Sequence, residues 1–345
     1  PDGDPGKAHP SVVGRYDRLF TGNGQPDHER SCEGRVPAGR RQALDHGAEI
    51  ARGLLIGVAY DKSVINFYIE SALVIKGRIE KMRTHPDSPV RYELPIGEDS
   101  VDINSLLGKA ITLTFTGTIL CIACGRKTKK SFNQGHCFPC LKRLASCDQC
   151  IVRPELCHYH EGTCREPKWG ESHCLQPHVV YLANSSGLKV GVTRASQVPT
   201  RWIDQGAVQA IPVFEVSERR IAGLLEATLR QVVADRTNWR RMLKGSPDKL
   251  DMLAERVRIL SEADPLITQF KKGPDWGDTK TSLSNSVCEI MYPVATYPEK
   301  VKAHNFDKTA SVSGKLQGIK GQYLILDTGV LNVRKFAGYE LELNH

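Results

Sequence analysis

The sequence predicts an α+β protein. A zinc-ribbon-like cysteine region is joined to a three-stranded antiparallel sheet with helices, and a small β segment flanks this middle on either side. Three observations carry that expectation. Nine of the eleven cysteines crowd between Cys121 and Cys174. Period-two alternation of β-branched and aromatic residues, the mark of half-buried strands, recurs before and after that window. Two apolar runs, His178–Ala183 and Leu188–Thr193, are separated by the turn cluster Asn184-Ser185-Ser186-Gly187 and followed by helical periodicity.

The elements follow in chain order. Residues 1–75 are expected to stand apart from the fold. Pro1 to Ile50 is rich in Gly and Pro with no sustained apolar period, so it cannot bury enough surface to offset chain entropy. The first Met is Met82. The stretch reads as translated upstream sequence or as a flexible arm. Residues 76–120 form a β segment, with alternation in Val90–Leu94 and Ile111–Phe115 and a bend expected at Gly117. Residues 121–175 are the metal-binding region and 176–245 the α/β segment. Residues 246–280 hold a helix and linker: Ser246-Pro247 supplies a cap and first turn, Leu250, Leu253, Val257 and Leu260 share one face, and Asp264-Pro265 ends it. Residues 281–345, with short runs between glycines, form a second β segment expected to pair with 76–120.

Composition narrows the function. The chain is 345 residues long, 40% hydrophobic and 25% charged, the balance of a soluble globular protein. The run Gly53–Tyr60 is far short of the roughly 20 apolar residues a membrane helix needs, so no membrane partner is expected. A net charge of +8 favours polyanions, nucleic acid first among them. Clustered Cys-x2-Cys pairs in a long chain read as reduced thiolates held for metal, which places the protein in the cytoplasm.

Cys121-x2-Cys124 and Cys137-x2-Cys140 are two pairs twelve residues apart. Two intervening residues let a tight turn aim both sulfurs at one ion. Four thiolates close a tetrahedral zinc, which makes the site structural. Cys147, Cys150, Cys157 and Cys164 are the expected ligands of a second zinc, with Cys174, His158 or His160 as substitutes. A redox pair is the alternative for a leftover Cys-x2-Cys, without the βαβ context such pairs use. About two structural zinc ions are therefore expected. The loop between the first pairs carries Arg126, Lys127, Lys129 and Lys130 beside Phe132, a candidate surface for phosphate and a stacked base; a solvated loop is the alternative. Arg240 and Arg241 beside Trp239 form a second candidate surface.

Past the cysteines, Val179-Val180-Tyr181, then Lys189-Val190-Gly191-Val192-Thr193, then Arg201 and Glu226 stand in order. This order resembles the GIY-YIG nuclease superfamily, in the phage-type branch with a Lys-Ile-Gly-like second motif. The resemblance covers residues of the α/β segment and implies a three-stranded antiparallel sheet with helices. It implies Glu226 as ligand of Mg²⁺ or Mn²⁺, Arg201 as phosphate clamp and Tyr181 as base or water-orienting group. Lys189 departs from the second motif's tyrosine and would act as a clamp. The chemistry agrees: hard divalent ions prefer carboxylate oxygen, and a guanidinium forks onto phosphate. The alternatives stay open: Glu226 solvated at the edge of its apolar face, Tyr181 a core aromatic, Arg201 in a surface ion pair. Gly162–Pro167 and Thr237–Arg240 also resemble an uncharacterised bacterial family catalogued as domain of unknown function 2797, which implies no activity. The expectation is a zinc-containing, nucleic-acid-interacting protein with metal-dependent nuclease chemistry; a non-catalytic DNA- or RNA-binding module and a zinc-stabilised scaffold for protein partners are the alternatives.

Overall fold

The computed structural model describes residues 74–281 and 283–345. The reading of 1–75 as an extension therefore lies outside the described residues, save Val74 and Ile75. The chain begins with strands β1 (Ile75–Arg78), β2 (Arg83–His85), β3 (Arg91–Ile96), β4 (Asp99–Asp102), β5 (Ala110–Leu120) and β6 (Lys127–Thr128). The cysteine region follows as short turns around helices α1 (Phe138–Arg143) and α2 (Pro167–His173). The middle holds β7 (His178–Asn184), β8 (Leu188–Arg194), α3 (Thr200–Asp204), β9 (Gln209–Val216), α4 (Arg219–Leu229) and α5 (Trp239–Met242). Then come α6 (Met252–Glu262), α7 (Asp264–Lys271), β10 (Cys288–Glu289), β11 (Ser311–Lys320), β12 (Tyr323–Leu326), β13 (Gly329–Asn332) and β14 (Tyr339–Asn344).

The strands form three antiparallel sheets. The largest runs β1-β14-β5-β11-β12-β13, with β6 on β5. Its central strand β5 comes from the first segment, and both its long neighbours come from the last: Ser311 pairs with Thr114, and Leu343 with Leu113. One core serves both segments, with Tyr92, Ile111, Leu316, Phe336 and Leu341 buried together. Gly117 has φ +84°, in the left-handed region glycine favours, where four β5 residues span the interval of two on β14. The small β2-β3-β4 meander packs into the same core.

The second sheet runs β10-β9-β7-β8. Every residue of β7 is buried, because both faces are covered. Val180 and Leu182 face a cluster with Leu225, Leu229, Ile259 and Ile267 of the helices. Val179, Tyr181 and Ala183 face Trp202 of α3. This alternation explains why the run is apolar throughout rather than at every second position.

Two helices differ from expectation. The helical periodicity after the two apolar runs becomes, beyond β9, a helix over Arg219–Leu229 that stops short of Val232 and Val233. Beyond it the chain turns back, and the Ala234 carbonyl accepts the Val190 amide of β8 at 2.8 Å. The helix expected from Ser246 starts at Met252, capped by Asp251, whose carboxylate accepts from the Leu253 and Ala254 amides at 3.1 and 3.0 Å. Residues 248–250 are instead held by buried amides: Asn184 donates to the Asp248 carbonyl at 2.8 Å, and Gln209 pairs both ways with the Leu250 backbone. Its buried face is Met252, Ile259 and Ala263, leaving Leu253 and Val257 exposed. Asp264-Pro265 opens α7 as well as closing α6.

Candidate metal centre and cleft

The first four cysteines converge. The sulfurs of Cys121, Cys124, Cys137 and Cys140 all lie within 4.8 Å of one another. Four ligands about 2.3 Å from a tetrahedral ion sit about 3.8 Å apart, and Cys124 Sγ and Cys137 Sγ are 3.7 Å apart. Two glycines make the turns: Gly125 at φ +71° and Gly135 at φ +125°. Burial opposes ionisation of Cys121, but the amides of Cys137, Cys124 and Ala123 aimed at its sulfur bring it down to about 6. Burial and the three surrounding thiols push Cys140 up to about 12. The group therefore calls for a cation before all four can be thiolates, and its spacing fits a metal ion.

The second cysteine group closes differently from the expected set. Cys150, Cys157, Cys164 and Cys174 line one ion-sized void of about 10 Å³, with Asp148 and His158 beside them. Cys147 does not line that void, lying in the turn before it, whereas Cys174 does. The neighbouring Cys150 and Cys174 thiols hold the Cys157 thiol far below the ordinary value, while Cys157 pushes theirs up. Oxygen, nitrogen and sulfur of Asp148, His158 and Cys150 also lie within 4.8 Å of one another. His160 instead pairs with Glu218 at 2.7 Å.

Lys189, Arg201 and Glu226 line a single cleft of about 630 Å³. β8 brings Lys189, α3 brings Arg201 and α4 brings Glu226. The Ile151–Pro154 turn of the cysteine region closes one side, and it approaches so tightly that a Cβ on Gly223 of α4 would lie 2.2 Å from the Glu155 amide. Tyr181 is fully buried and does not line the cleft; its hydroxyl donates to Oε1 of Gln205, which does, at 3.0 Å. Lys189 Nζ donates to the same oxygen at 2.5 Å. Burial raises the Tyr181 phenol to about 12, against the opposing Arg201 guanidinium. Burial, with Arg201 adding to it, lowers Lys189 to about 8. Glu226 is raised by burial, with Asp235 and Glu155 adding to the effect and Arg230 opposing it. Arg230 is already engaged, with Glu155 at 3.1 Å and Asp235 at 3.4 Å. Glu226 and Asp235 thus bring two carboxylates to the cleft, the donor type that Mg²⁺ and Mn²⁺ accept.

The other cations named from sequence lie elsewhere. Arg126, Lys127, Lys129 and Lys130 are exposed on their loop, where Lys127 pairs with Leu120 and Lys130 sits 5.4 Å from the Phe132 ring. Arg240 stacks on Trp239 at 4.3 Å, and Arg241 is exposed beside Ser185 and Lys244. None of these six lines the cleft. Sequence reasoning missed Gln205, Arg219 and Asp235, which do. Gln205 follows Arg201 by one helical turn, a spacing that could have revealed it. Arg219 and Asp235 carry no local signal, since they arrive by the turns at either end of α4.

Among the described residues, no helix is long and apolar enough to cross a membrane. Fold and site together define an α+β protein of antiparallel sheets with a four-cysteine site suited to metal. The chain belongs to the family described as protein of unknown function DUF2797, whose model matches residues 108–341, more than half its length. No curated protein and no solved structure matches it.

Proposed function

We propose that the protein binds nucleic acid in the Lys189–Arg201–Glu226 cleft and cleaves a phosphodiester there, on a scaffold stabilised by zinc. The observation that carries this reading is the meeting of Lys189, Arg201 and Glu226 in one cleft, with Tyr181 joined to it through Gln205. The order of these residues, which resembles GIY-YIG nucleases, supports the same chemistry. Arg201 clamps the phosphate with paired donors. Glu226 and Asp235 would hold the divalent ion. Bound there, Mg²⁺ or Mn²⁺ would lower the pKa of a water and offset charge on the phosphoryl oxygens. Tyr181, buried behind the cleft and held protonated, positions Gln205 rather than acting as base. Lys189 adds a positive charge that the missing second tyrosine would not. Zinc on Cys121, Cys124, Cys137 and Cys140, and a second zinc on Cys150, Cys157, Cys164 and Cys174, supply folding energy to a region with little apolar core.

A second reading, binding without cleavage, has its own support: the phenol at about 12 is a weak base, and Gln205 occupies both it and Lys189. Labelled oligonucleotides of DNA and RNA with Mg²⁺ or Mn²⁺ decide between them. Cleavage is expected, lost in Glu226→Gln with binding near wild type, and Arg201→Ala should weaken binding and cleavage together. Salt-dependent binding with no cleavage under either ion leaves the second reading. Neither binding nor cleavage at low salt ends both.

A further inference from the structure

A second cleft, of about 510 Å³, opens on the far side of Arg201 and Arg219. The two clefts share Ile151, Val152, Val192, Arg201 and Arg219, so they adjoin at these residues. The walls of the second come from three distant parts of the chain. Arg194 ends β8, and Arg334 stands on the short turn Val333–Phe336 between β13 and β14. Asn133, Gln134 and His136 belong to the loop between the first two cysteine pairs.

Cations in this cleft exceed the carboxylates free to pair with them. Arg194, Arg201, Arg219 and Arg334 all line it. Of the two carboxylates on the wall, Asp204 is engaged by Lys81 and by Gln322, each at 2.8 Å, and Glu80 by Arg78 at 2.9 Å. Arg219 spends its donors on the Cys150 and Ile151 carbonyls. Burial, with the Arg201 charge adding to it, pushes the Arg334 guanidinium below its ordinary value. Half-buried guanidinium groups that outnumber the carboxylates beside them are an arrangement that an anion satisfies. On the opposite wall, Asn133 and Gln134 both take the left-handed backbone, at φ 41° and 60°, where non-glycine residues are uncommon and accumulate at functional loops.

We propose that this second cleft holds the phosphate next to the one in the first, so that the ligand is a polynucleotide strand rather than a mononucleotide. Arg334 and Arg194 are its contacts. Asn133, Gln134 and His136, all hydrogen-bonding side chains, form the wall that an adjacent base meets. This rests on the reading that the first cleft takes a nucleic-acid phosphodiester.

The test compares a labelled single-stranded oligonucleotide across a salt series. Arg334→Gln should weaken binding about tenfold, the scale of one lost charged hydrogen bond. It should also flatten the slope of log affinity against log salt by about 0.7, one phosphate contact on a single strand. Arg194→Gln, from a different element, should do the same and guards against a folding defect in the first variant. Lys335→Gln removes an equal charge from the same turn, on an exposed residue outside the cleft, and should change neither quantity. If Arg334→Gln and Arg194→Gln behave like Lys335→Gln while Arg201→Ala still weakens binding, the second subsite is wrong and the first cleft stands. If the wild type binds no oligonucleotide at low salt, both are wrong.

Discussion

Gly191 faces Tyr181 across the β7–β8 pair, and a Cβ there would lie 2.6 Å from the phenol oxygen and 2.7 Å from its ring carbon. The glycine of the Lys-Val-Gly run is thus the seat on which the aromatic ring rests. Gly191→Ala should displace the ring, break the Tyr181–Gln205 bond and cost about 1–3 kcal/mol, the scale of overpacking a core, measured by urea unfolding. A neighbour in the same strand yields a pH prediction. The Lys189 amine, lowered to about 8 by burial, is charged below that pH and neutral above it. As a phosphate clamp it should hold nucleic acid best below pH 8, and binding should weaken as pH rises from 7 to 9 through about 8. Lys189→Ala should bind more weakly at pH 7 and lose this part of the pH dependence. Identical pH profiles for the two proteins would exclude lysine as the clamp.

Among elements, the turns around Cys121–Cys140 are the most local and the easiest to read. Two Cys-x2-Cys pairs place four sulfurs by short-range geometry, and the glycines that make the turns lie beside them. Cys137→Ser should lose one equivalent of bound metal in elemental analysis and raise amide exchange across residues 121–143, leaving the β7–β9 sheet protected. Metal content equal to wild type would show that these thiols hold none. The β7–β8 hairpin was legible for the same reason, its strands and turn being adjacent in the chain. Less local features were not. Asp251 rather than Ser246 caps α6, because the Asn184 and Gln209 side chains, more than twenty residues upstream, claim the backbone before it. The apolar series Leu253 and Val257 matched helical spacing but faces outward, while Met252 and Ile259, one heptad apart, fill the core. Spacing marks a helix; it does not say which of two apolar stripes meets the sheet. The second cysteine group has five thiols and two imidazoles, and the fold of its turns rather than their spacing decides which of them line the same void.

At the scale of the whole molecule, the large sheet is built from both ends of the described chain. Tyr339, Leu341 and Leu343 of β14 are buried between β1 and β5. Removing residues 339–345 should strip both strands of their partner and expose the shared core, giving a chain that is insoluble or rapidly digested in limited proteolysis. A truncated chain as protease-resistant as the full one would contradict the strand order described. The same topology has a consequence in time. The side chains of Thr112 and Ser313 touch across 201 positions of sequence. At a synthesis rate of about 5–20 residues per second, β5 leaves the ribosome about 10–40 s before the strands that flank it exist. During that interval Ile111 and Leu113 lack the core residues of β11–β14, and the backbone edges of β5 before its short pairing with β6 are open to other chains. The cysteine turns and the β7–β8 hairpin can close meanwhile, so the molecule matures from its middle outward. The strand made early is the last to be housed, so the nascent chain exposes a pairing edge that the finished protein covers.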